Sequence, residues 1–509
     1  MQKASTRFYG SVGLLFLTTL TFLFASYKLP ADDGYFYLQV ADHVVKGEGF
    51  YFNTLYKTNG FHPLWGWICS FLAFINPGKK EDLFYLVWVF QLILFGASLV
   101  QLKKFWNNSS LILFPITFLF IIFCNLGTLF LTEAFINLFW LSYFLRKEES
   151  SQLSPFRLGI ILGLIFLARL DNVFIILFLG IYIVFVQKKF NLKRVFELGV
   201  GFCLFTVPYL AYNYIEFGSI FPVSGKIKSF FPAFKMYGFN QYAIVLLGAT
   251  ILYLIVLITV LKGRKFRKLL IYFSLGVLLQ LLYNGIFQSQ IGQWYFVAPF
   301  ILFSFLLFDF LQVVFKNVHF HSFFYRIGLG IAFLICTTIG LLKGATDFSL
   351  INLDEIQNIK WQEKSSLEEF VDNLKAKLPA GARIYTYDMP GRLAFYTDFD
   401  VIPADGLINN QLFSDDLNQG QFEEYLKKNK IDYVILPGDS HNDYPLTSFL
   451  GINMEKINAK YKYEIKDPYQ RKVVAQMDMD KYKEILSQSN PLFVWQPHYD
   501  LIKVYQLKN

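Results

Sequence analysis

The chain has 509 residues and a formal net charge of +9, and 54% of its residues are hydrophobic and 19% aromatic. With 59 phenylalanines and repeated apolar runs, this composition excludes an ordinary soluble protein and indicates an integral membrane protein. The positive charge does not indicate nucleic-acid binding, because much of it lies in short loops between apolar runs, where it sets membrane orientation.

The first apolar run, from Phe8 to Ala25, is long enough to cross a bilayer. No small-residue cleavage site separates it from the polar stretch that starts near Asp32. The run is therefore predicted to be a retained anchor rather than a signal peptide that is removed.

The polar stretch after this anchor begins with two adjacent carboxylates, Asp32 and Asp33. From Tyr37 to Val45 apolar residues recur at helical spacing opposite a polar face, and Gly47 is placed to end the helix. This pattern predicts an amphipathic helix along the membrane interface with both aspartates at its N-terminus. Capping of that helix explains one aspartate, whereas a pair of carboxylates at membrane depth is costly enough to indicate a functional site.

The apolar runs of the first 345 residues predict about eleven membrane spans. The run from His62 to Ile75 is short and opens with His-Pro, so it is predicted to be re-entrant or interfacial. The basic loops then all lie on one side, which the positive-inside rule places in the cytoplasm with the N-terminus. The predicted spans are Phe8–Leu29, Leu83–Leu102, Leu111–Leu131, Ala134–Leu145, Phe156–Ala168, Val173–Val186, Val195–Tyr212, Tyr242–Leu261, Leu269–Phe287, Trp294–Val314 and Ile327–Leu342.

The cysteines of the chain all lie in apolar segments, so no disulfide is predicted in a polar domain. They are predicted to be small buried hydrophobic residues. The four are Cys69, Cys124, Cys203 and Cys336.

The composition changes beyond Lys343, and residues 346–509 are predicted to form an extracytoplasmic α/β domain after a transmembrane module of residues 1–345. Its polar helices alternate with short apolar runs that are typical of strands. The predicted elements are a helix in Glu355–Leu378, a strand after Gly381, a helix at Gly391–Tyr396, a strand at Val401–Ile402, a helix at Phe422–Asn429 and a strand at Asp432–Leu436.

Further polar side chains fall on the predicted external side with the two aspartates. Some have a simple structural explanation: Glu133 favours a helix N-terminus, and Arg169 is two residues from Asp171, with which it can pair. Lys226 and Lys228 are external cations that orientation does not explain. An aromatic belt accounts for the neighbouring Trp294 and Tyr295. The candidate substrate-binding residues are His62, Lys57, Asn59, Arg169, Asp171, Lys226 and Lys228.

The stretch DDGYFYLQVADHVVKGEGF, with TNGFHPLW after it, resembles the first external loop of bacterial GT-C glycosyltransferases. These multi-spanning enzymes, which include protein mannosyltransferase, aminoarabinose transferase and arabinofuranosyltransferase types, take sugars from polyprenyl-phosphate carriers. The segments ARLDN, YNYIEFGSIFPVSGKIK, QWYFVAP and DGLIN, the last of uncertain role, are also similar to family segments and occur in order. Glu133 corresponds to a family acidic residue, although Leu131-Thr132 replaces the usual glycine before it.

This resemblance implies a transfer with inversion from a polyprenyl-phosphate sugar to a cell-envelope glycan, glycolipid or protein. Asp33 is the implied general base, with Asp32 orienting it or binding a divalent metal such as magnesium, manganese or calcium. Glu133 is the third candidate catalytic residue, and external cations would stabilise the departing phosphate. The implied location is the outer face of the inner membrane.

Two alternatives to this function remain open. One is a polymerase or ligase that acts on lipid-linked oligosaccharide. The other is a lipid or sugar transporter, although transporters usually carry repeated halves and polar groups at the bilayer midplane, and neither is evident here. Use of a nucleotide sugar is not supported, because no P-loop and no GxGxxG motif follows a strand.

Overall fold

The computed structural model describes the chain from Pro30 to Gln506 with gaps, and most of the described residues are helical. The described residues are 30–103, 113–120, 122–123, 127–150, 153–187, 190–264, 266–289, 291–314, 366–386, 389–410, 412–413, 422–439, 493–495 and 500–506. The predicted spans Phe8–Leu29 and Ile327–Leu342, Cys124, Cys336 and the start of the helix predicted from Glu355 lie outside these residues.

The helices are numbered here in chain order. They are α1 Asp32–Val45, α2 Pro63–Ile75, α3 Asp82–Leu102, α4 Leu113–Phe120, α5 Ala134–Ser150, α6 Pro155–Ala168, α7 Val173–Ile181, α8 Leu192–Phe217, α9 Val223–Lys228, α10 Gln241–Thr259, α11 Arg267–Phe287, α12 Val297–Val314, α13 Ser366–Lys377, α14 Pro390–Tyr396 and α15 Phe422–Lys428. Turns of 3₁₀-helix cover Gly127–Leu129, Leu170–Asn172 and Gln293–Phe296, and a π-helical turn covers Tyr182–Val186.

Among the described residues, five helices are long and apolar enough to cross a membrane, rather than the nine that the prediction of eleven spans requires there. They are α3, α8, α10, α11 and the helix formed by Gln293–Phe296 together with α12. Several other predicted spans form helices below spanning length: α5 has 17 residues, α6 has 14, α7 has 9 and α4 has 8. The predicted runs Ala134–Leu145 and Phe156–Ala168 are each one continuous helix, but the apolar runs themselves are short. The short run after His62 is a 13-residue helix, α2.

Helix α1 forms where the hydrophobic periodicity predicts it, but it begins earlier and is more deeply buried. Gly47 follows its end with a φ of +81°, a conformation that favours glycine. Its Tyr35 and Leu38 pack in the core of the helical module, whereas Phe36 and Val40 pack with side chains of the C-terminal domain. Two cores cover this helix, so Gln39 and His43 of its predicted polar face are buried, whereas Lys46 just beyond its end is exposed.

The C-terminal domain contains a five-stranded sheet, formed by β1 Arg383–Thr386, β2 Asp400–Pro403, β3 Tyr433–Asp439, β4 Phe493–Trp495 and β5 Asp500–Gln506. The order of the strands in the sheet is β2-β1-β3-β5-β4. The three strands predicted from the sequence pair in parallel, as expected for strands joined by helices, whereas β5 pairs antiparallel with β3 and β4. The strands β4 and β5 are additional to the predicted elements.

The C-terminal domain contacts the loop that joins α1 to α2. Asn53 donates a hydrogen bond of 2.9 Å to Asn409, and Asn410 donates one of 3.0 Å to the backbone carbonyl of Lys57. Gly60 approaches the domain so closely that a Cβ atom would lie 2.0 Å from the carbonyl oxygen of Leu407. These contacts hold the domain against the polar stretch that begins with the two aspartates.

The cysteines described by the structure follow the prediction only in part. Cys69 is buried, as predicted, and Cys203 is exposed on α8. The prediction for Cys203 is wrong, because its position in α8 is on the face that the protein leaves uncovered.

Candidate active site

A cavity of about 430 Å³ lies where the C-terminal domain meets the helical module. Asp32, Asp33 and Phe36 line it from α1, and Lys228 lines it from the end of α9. The remaining lining residues come from the segment before α12 and from the C-terminal domain, and they are Ile291, Gly292, Trp294, Met389, Pro390, Asp405 and Leu407. The chain thus brings four ionisable side chains from three distant segments into one cavity.

Asp33 and Lys228 form an ion pair in this cavity, with 3.9 Å between the Asp33 Oδ2 and Lys228 Nζ atoms. The Asp33 side chain is one-third accessible from the cavity, whereas that of Lys228 is only 7% accessible. Burial raises the pKa of Asp33, although Lys228 acts in the opposite direction. Burial lowers the pKa of Lys228, but Tyr295, Asp33 and Asp405 outweigh it and the pKa is raised. A strengthened base therefore lies beside a cation that stays charged.

Asp32 faces the C-terminal domain and does not cap its own helix. Its Oδ2 accepts a hydrogen bond of 2.8 Å from the backbone N–H of Gly391, and its Oδ1 accepts one of 2.8 Å from that of Arg392. A Cβ on Gly391 would lie 2.5 Å from the Asp32 carbonyl, so this approach requires glycine. Burial raises the pKa of Asp32 to about 6, against the effect of Arg392. Asp32 therefore attaches α14 to α1. This role differs from those that the sequence predicted for Asp32, which were capping of α1, orientation of Asp33 or metal binding.

Asp405 belongs to the segment whose role the sequence leaves uncertain, and the structure places it in the cavity. Its Oδ1 accepts a hydrogen bond of 3.0 Å from the backbone N–H of Leu407. Burial raises the pKa of Asp405 to about 7, with a further contribution from the Asp33 charge. Burial therefore keeps part of this carboxyl protonated near neutral pH, and the protonated form is able to donate a hydrogen bond to a ligand.

A buried charge network supports the helical side of the site. Arg169 is paired with Glu133, and its Nε donates a hydrogen bond of 3.0 Å to Asp171 Oδ1. Asp171 also accepts a bond of 3.0 Å from Asn284, and the nearby Arg169 lowers its pKa in spite of burial. The predicted Arg169–Asp171 pair is thus present, and Arg169 is only 1% accessible. Both carboxylates compete with any phosphate for this guanidinium.

His62 and Tyr37 complete this network around Glu133. The Tyr37 hydroxyl donates a hydrogen bond of 2.9 Å to Glu133 Oε2, and His62 Nε2 lies 3.6 Å from Oε1. Burial lowers the pKa of His62, although Glu133 acts against it. Burial thus favours the neutral imidazole, which is a hydrogen-bonding group, and His62 does not line the cavity.

Tyr295 links the charge network to the cavity, whereas the sequence predicted an aromatic-belt residue in a segment similar to one of the GT-C family. The Arg169 guanidinium lies over its ring at 4.0 Å from the centroid, and Lys228 Nζ lies 5.9 Å from the same centroid. Cations near an aromatic face are attracted by the ring quadrupole. The segment before α12 thus carries the aromatic ring that lies beside both cations. In the sequence, the position of Tyr295 next to the predicted external loops was the signal for this role.

Of the predicted site residues, Asp32, Asp33 and Lys228 line the cavity. Glu133, His62, Arg169 and Asp171 belong to the charge network beside it, and the other three predicted binding residues lie elsewhere. Lys57 Nζ pairs with Glu216 at 2.5 Å, and Lys226 is exposed on the opposite side of the short helix α9 from the buried Lys228. Asn59 accepts a hydrogen bond of 3.0 Å from the backbone N–H of Val223. Asn59 therefore positions the helix that carries Lys228 and does not itself line the cavity.

A divalent metal does not fit the side chains that the structure brings together. Within the described ranges, no group of three or more His, Cys, Asp or Glu side chains is arranged to hold a metal. Both oxygens of Asp32 already face backbone N–H donors, and Asp33 faces the Lys228 ammonium. We therefore derive no step through a metal.

Comparison with known proteins adds no assignment to this geometry. No protein-family model matches the chain, and no curated protein is similar to it. The functional conclusion accordingly depends on the residues in and around the cavity.

Proposed function

We propose that the protein is an integral-membrane glycosyltransferase of the GT-C type. It transfers a sugar from a polyprenyl-phosphate donor to a hydroxyl group of a cell-envelope glycan, glycolipid or protein. The five membrane-length helices support placement in a bilayer, where a polyprenyl carrier resides. The resemblance of the segment around Asp32 and Asp33 to GT-C loops supports the sugar-transfer chemistry.

The observation that carries this proposal is the Asp33–Lys228 pair in the cavity. Glycosyl transfer to a hydroxyl needs a base at the acceptor and a positive charge at the departing phosphate. Asp33 is a carboxylate with a raised pKa, and its accessible part opens into the cavity. Lys228 is the predicted phosphate-binding cation that lines the same cavity, whereas Arg169 is enclosed by two carboxylates.

The reaction follows from these two groups. The acceptor hydroxyl gives its proton to the Asp33 carboxylate as its oxygen forms a bond to the anomeric carbon of the sugar. The bond from that carbon to the phosphate oxygen breaks on the opposite face, and its electron pair leaves with the polyprenyl phosphate. Lys228 stabilises the charge that develops on this phosphate, and the configuration at the anomeric carbon is inverted.

Asp405 and Asp32 support the reaction from the cavity wall. Asp405 in its protonated form is able to donate a hydrogen bond to a sugar hydroxyl, since its pKa is raised to about 7 by burial. Asp32 fixes α14 against α1 and so sets the width of the cavity at Met389 and Pro390. Both roles belong to binding and positioning.

The proposal places the cavity and the C-terminal domain at the outer face of the inner membrane, with the N-terminus in the cytoplasm. The basic residues support this orientation, because Arg146 and Lys147 lie near the C-terminal end of α5, and Lys262 and Arg264 lie between α10 and α11. The opposite ends of these helices lead toward the cavity. A donor that has been moved to the outer leaflet would therefore meet the acceptor there.

The test is sugar transfer by the purified full-length protein in lipid nanodiscs. Polyprenyl-phosphate sugars with a radiolabelled sugar are supplied one at a time together with an envelope extract. Transfer of label to an envelope component with release of polyprenyl phosphate is expected for at least one donor. Movement of an intact donor across the membrane with no transfer would identify a transporter and refute the proposal, as would polymer growth from lipid-linked oligosaccharide alone.

A further inference from the structure

A second cavity, of about 260 Å³, lies between α2 and α8, and its lining shares no residue with the cavity of Asp33 and Lys228. Its walls are mainly apolar or aromatic and include Phe61, Trp67 and Pro208. At about 30 Å³ for each water molecule, this volume corresponds to roughly nine waters. It is large enough for a compact polar group with the start of an attached chain.

Polar side chains in the lining of this cavity lack hydrogen-bond partners. Asn59 is 5% accessible, and the Val223 N–H that bonds to its oxygen fixes the orientation of the amide. Its Nδ2 atom then has no partner among the described residues. Tyr209 and Asn213 interact across one turn of α8, yet neither the Tyr209 hydroxyl nor Asn213 Oδ1 makes a hydrogen bond of acceptable geometry with a described residue. Buried polar groups are rarely left without hydrogen-bond partners, and a ligand with both an acceptor and a donor would supply those partners here.

The charge of the lining indicates an uncharged ligand. None of the lining residues carries a charged side chain. The nearby Lys57, whose ammonium lies 5.7 Å from the centroid of the lining residue Tyr212, is paired with Glu216 at 2.5 Å. A phosphate would gain no free cation from this pair and would lose its hydration.

The surroundings of the cavity indicate that the ligand comes from the bilayer. The two helices that form its walls present exposed apolar side chains, among them Phe71 and Phe74 on α2 and Val207 and Ile215 on α8. Helix α8 is one of the five helices of membrane-spanning length. A molecule that reaches the cavity past these side chains is therefore expected to be a lipid.

We infer that this cavity binds an uncharged lipid of the diacylglycerol type. The ester carbonyl of the lipid accepts a hydrogen bond from Asn59 Nδ2, and its glycerol hydroxyl donates to Asn213 Oδ1 beside Tyr209. The acyl chains extend along the lipid-facing side of α2 and α8. This inference is independent of glycosyl transfer, because it needs neither Asp33 nor Lys228.

The test is photo-crosslinking of the full-length protein in nanodiscs with a diacylglycerol that carries a diazirine near the ester. Crosslinked peptides from α2 or α8 are expected by mass spectrometry, and unlabelled diacylglycerol should compete for them. Phosphatidylglycerol should compete at least tenfold less well, which corresponds to about 1.4 kcal/mol. The absence of these crosslinks, or equal competition by both lipids, would overturn the inference.

A variant pair tests the polar groups directly. The double variant Tyr209→Phe with Asn213→Leu should reduce competition by diacylglycerol about tenfold, whereas Ile255→Leu, on the exposed face of α10, should leave it unchanged. Thermal unfolding checks that both variants fold. If the folded double variant binds like the wild type, the lipid is not recognised through these groups. If the double variant fails to fold, the competition between the two lipids on the wild-type protein decides.

Discussion

Replacing Asp405 by asparagine should make the folded protein more stable at neutral and higher pH. Burial raises the pKa of this carboxyl from 3.8 to about 7, so the folded protein holds the proton more tightly than the unfolded chain. The stability that this group contributes is therefore fully present below about pH 4 and is lost as pH rises toward 7. Asparagine keeps an oxygen for the Leu407 N–H and cannot ionise.

The size of this effect follows from the shift of about three pKa units. At about 1.4 kcal/mol for each unit the upper limit is about 4 kcal/mol. Solvent in the cavity screens part of it, because Asp405 is not fully buried, so we expect about 2–4 kcal/mol at pH 8. At pH 4 the variant and the wild type should have nearly equal stability.

The assay is thermal unfolding of the full-length protein in nanodiscs from pH 4 to pH 8, followed by tryptophan fluorescence. Asp32 and Asp33 also have raised pKa values, so the difference between wild type and Asp405→Asn isolates the one carboxyl. Asp398→Asn is the matched control, since Asp398 is exposed in the same domain. Parallel pH curves for wild type and Asp405→Asn would refute a buried, proton-holding Asp405.

Three further predictions concern the cation, the charge network and the orientation. Lys228→Ala should raise the donor KM at least tenfold and move the activity profile to higher pH, because Lys228 lowers the pKa of Asp33. Lys226→Ala should behave as wild type, and equal effects of the two variants would contradict the assignment of Lys228 as the phosphate-binding cation. Glu133→Gln should lower the free energy of unfolding by about 3 kcal/mol. This is the low end for a broken buried ion pair, because Arg169 keeps Asp171 as a second partner. Unchanged thermal unfolding would count against the charge network. A reporter that is active only outside the cytoplasm should work when fused after Asn509, and activity of a cytoplasm-only reporter there would reverse the orientation.

Local signals in the sequence predicted the local elements well. The apolar spacing after Tyr37 and the glycine at position 47 located the end of α1, and the alternation of polar and apolar runs located β1, β2 and β3. Hydrophobic composition was less informative about membrane crossing. The runs that form α5, α6 and α7 are apolar, but their helices of 17, 14 and 9 residues are below spanning length.

The parts of the site that the sequence did not predict depend on contacts between distant segments. Asp32 accepts hydrogen bonds from Gly391 and Arg392, about 360 positions away, and no local pattern indicates that partner. Asp405 is likewise brought next to Asp33 only by docking of the C-terminal domain. The packing of Phe36 and Val40 against that domain depends on the same docking.

Sugar transfer by Asp33→Asn tests the central claim most directly. Asparagine has nearly the same shape but cannot accept the acceptor proton, so turnover should fall by about 10²–10⁴-fold while donor binding persists. Asp42→Asn, on the same helix but paired with Lys46, should keep wild-type turnover, and Asp32→Asn should be less severe than Asp33→Asn. Near-wild-type turnover by a folded Asp33→Asn protein would contradict the assignment of Asp33 as the base.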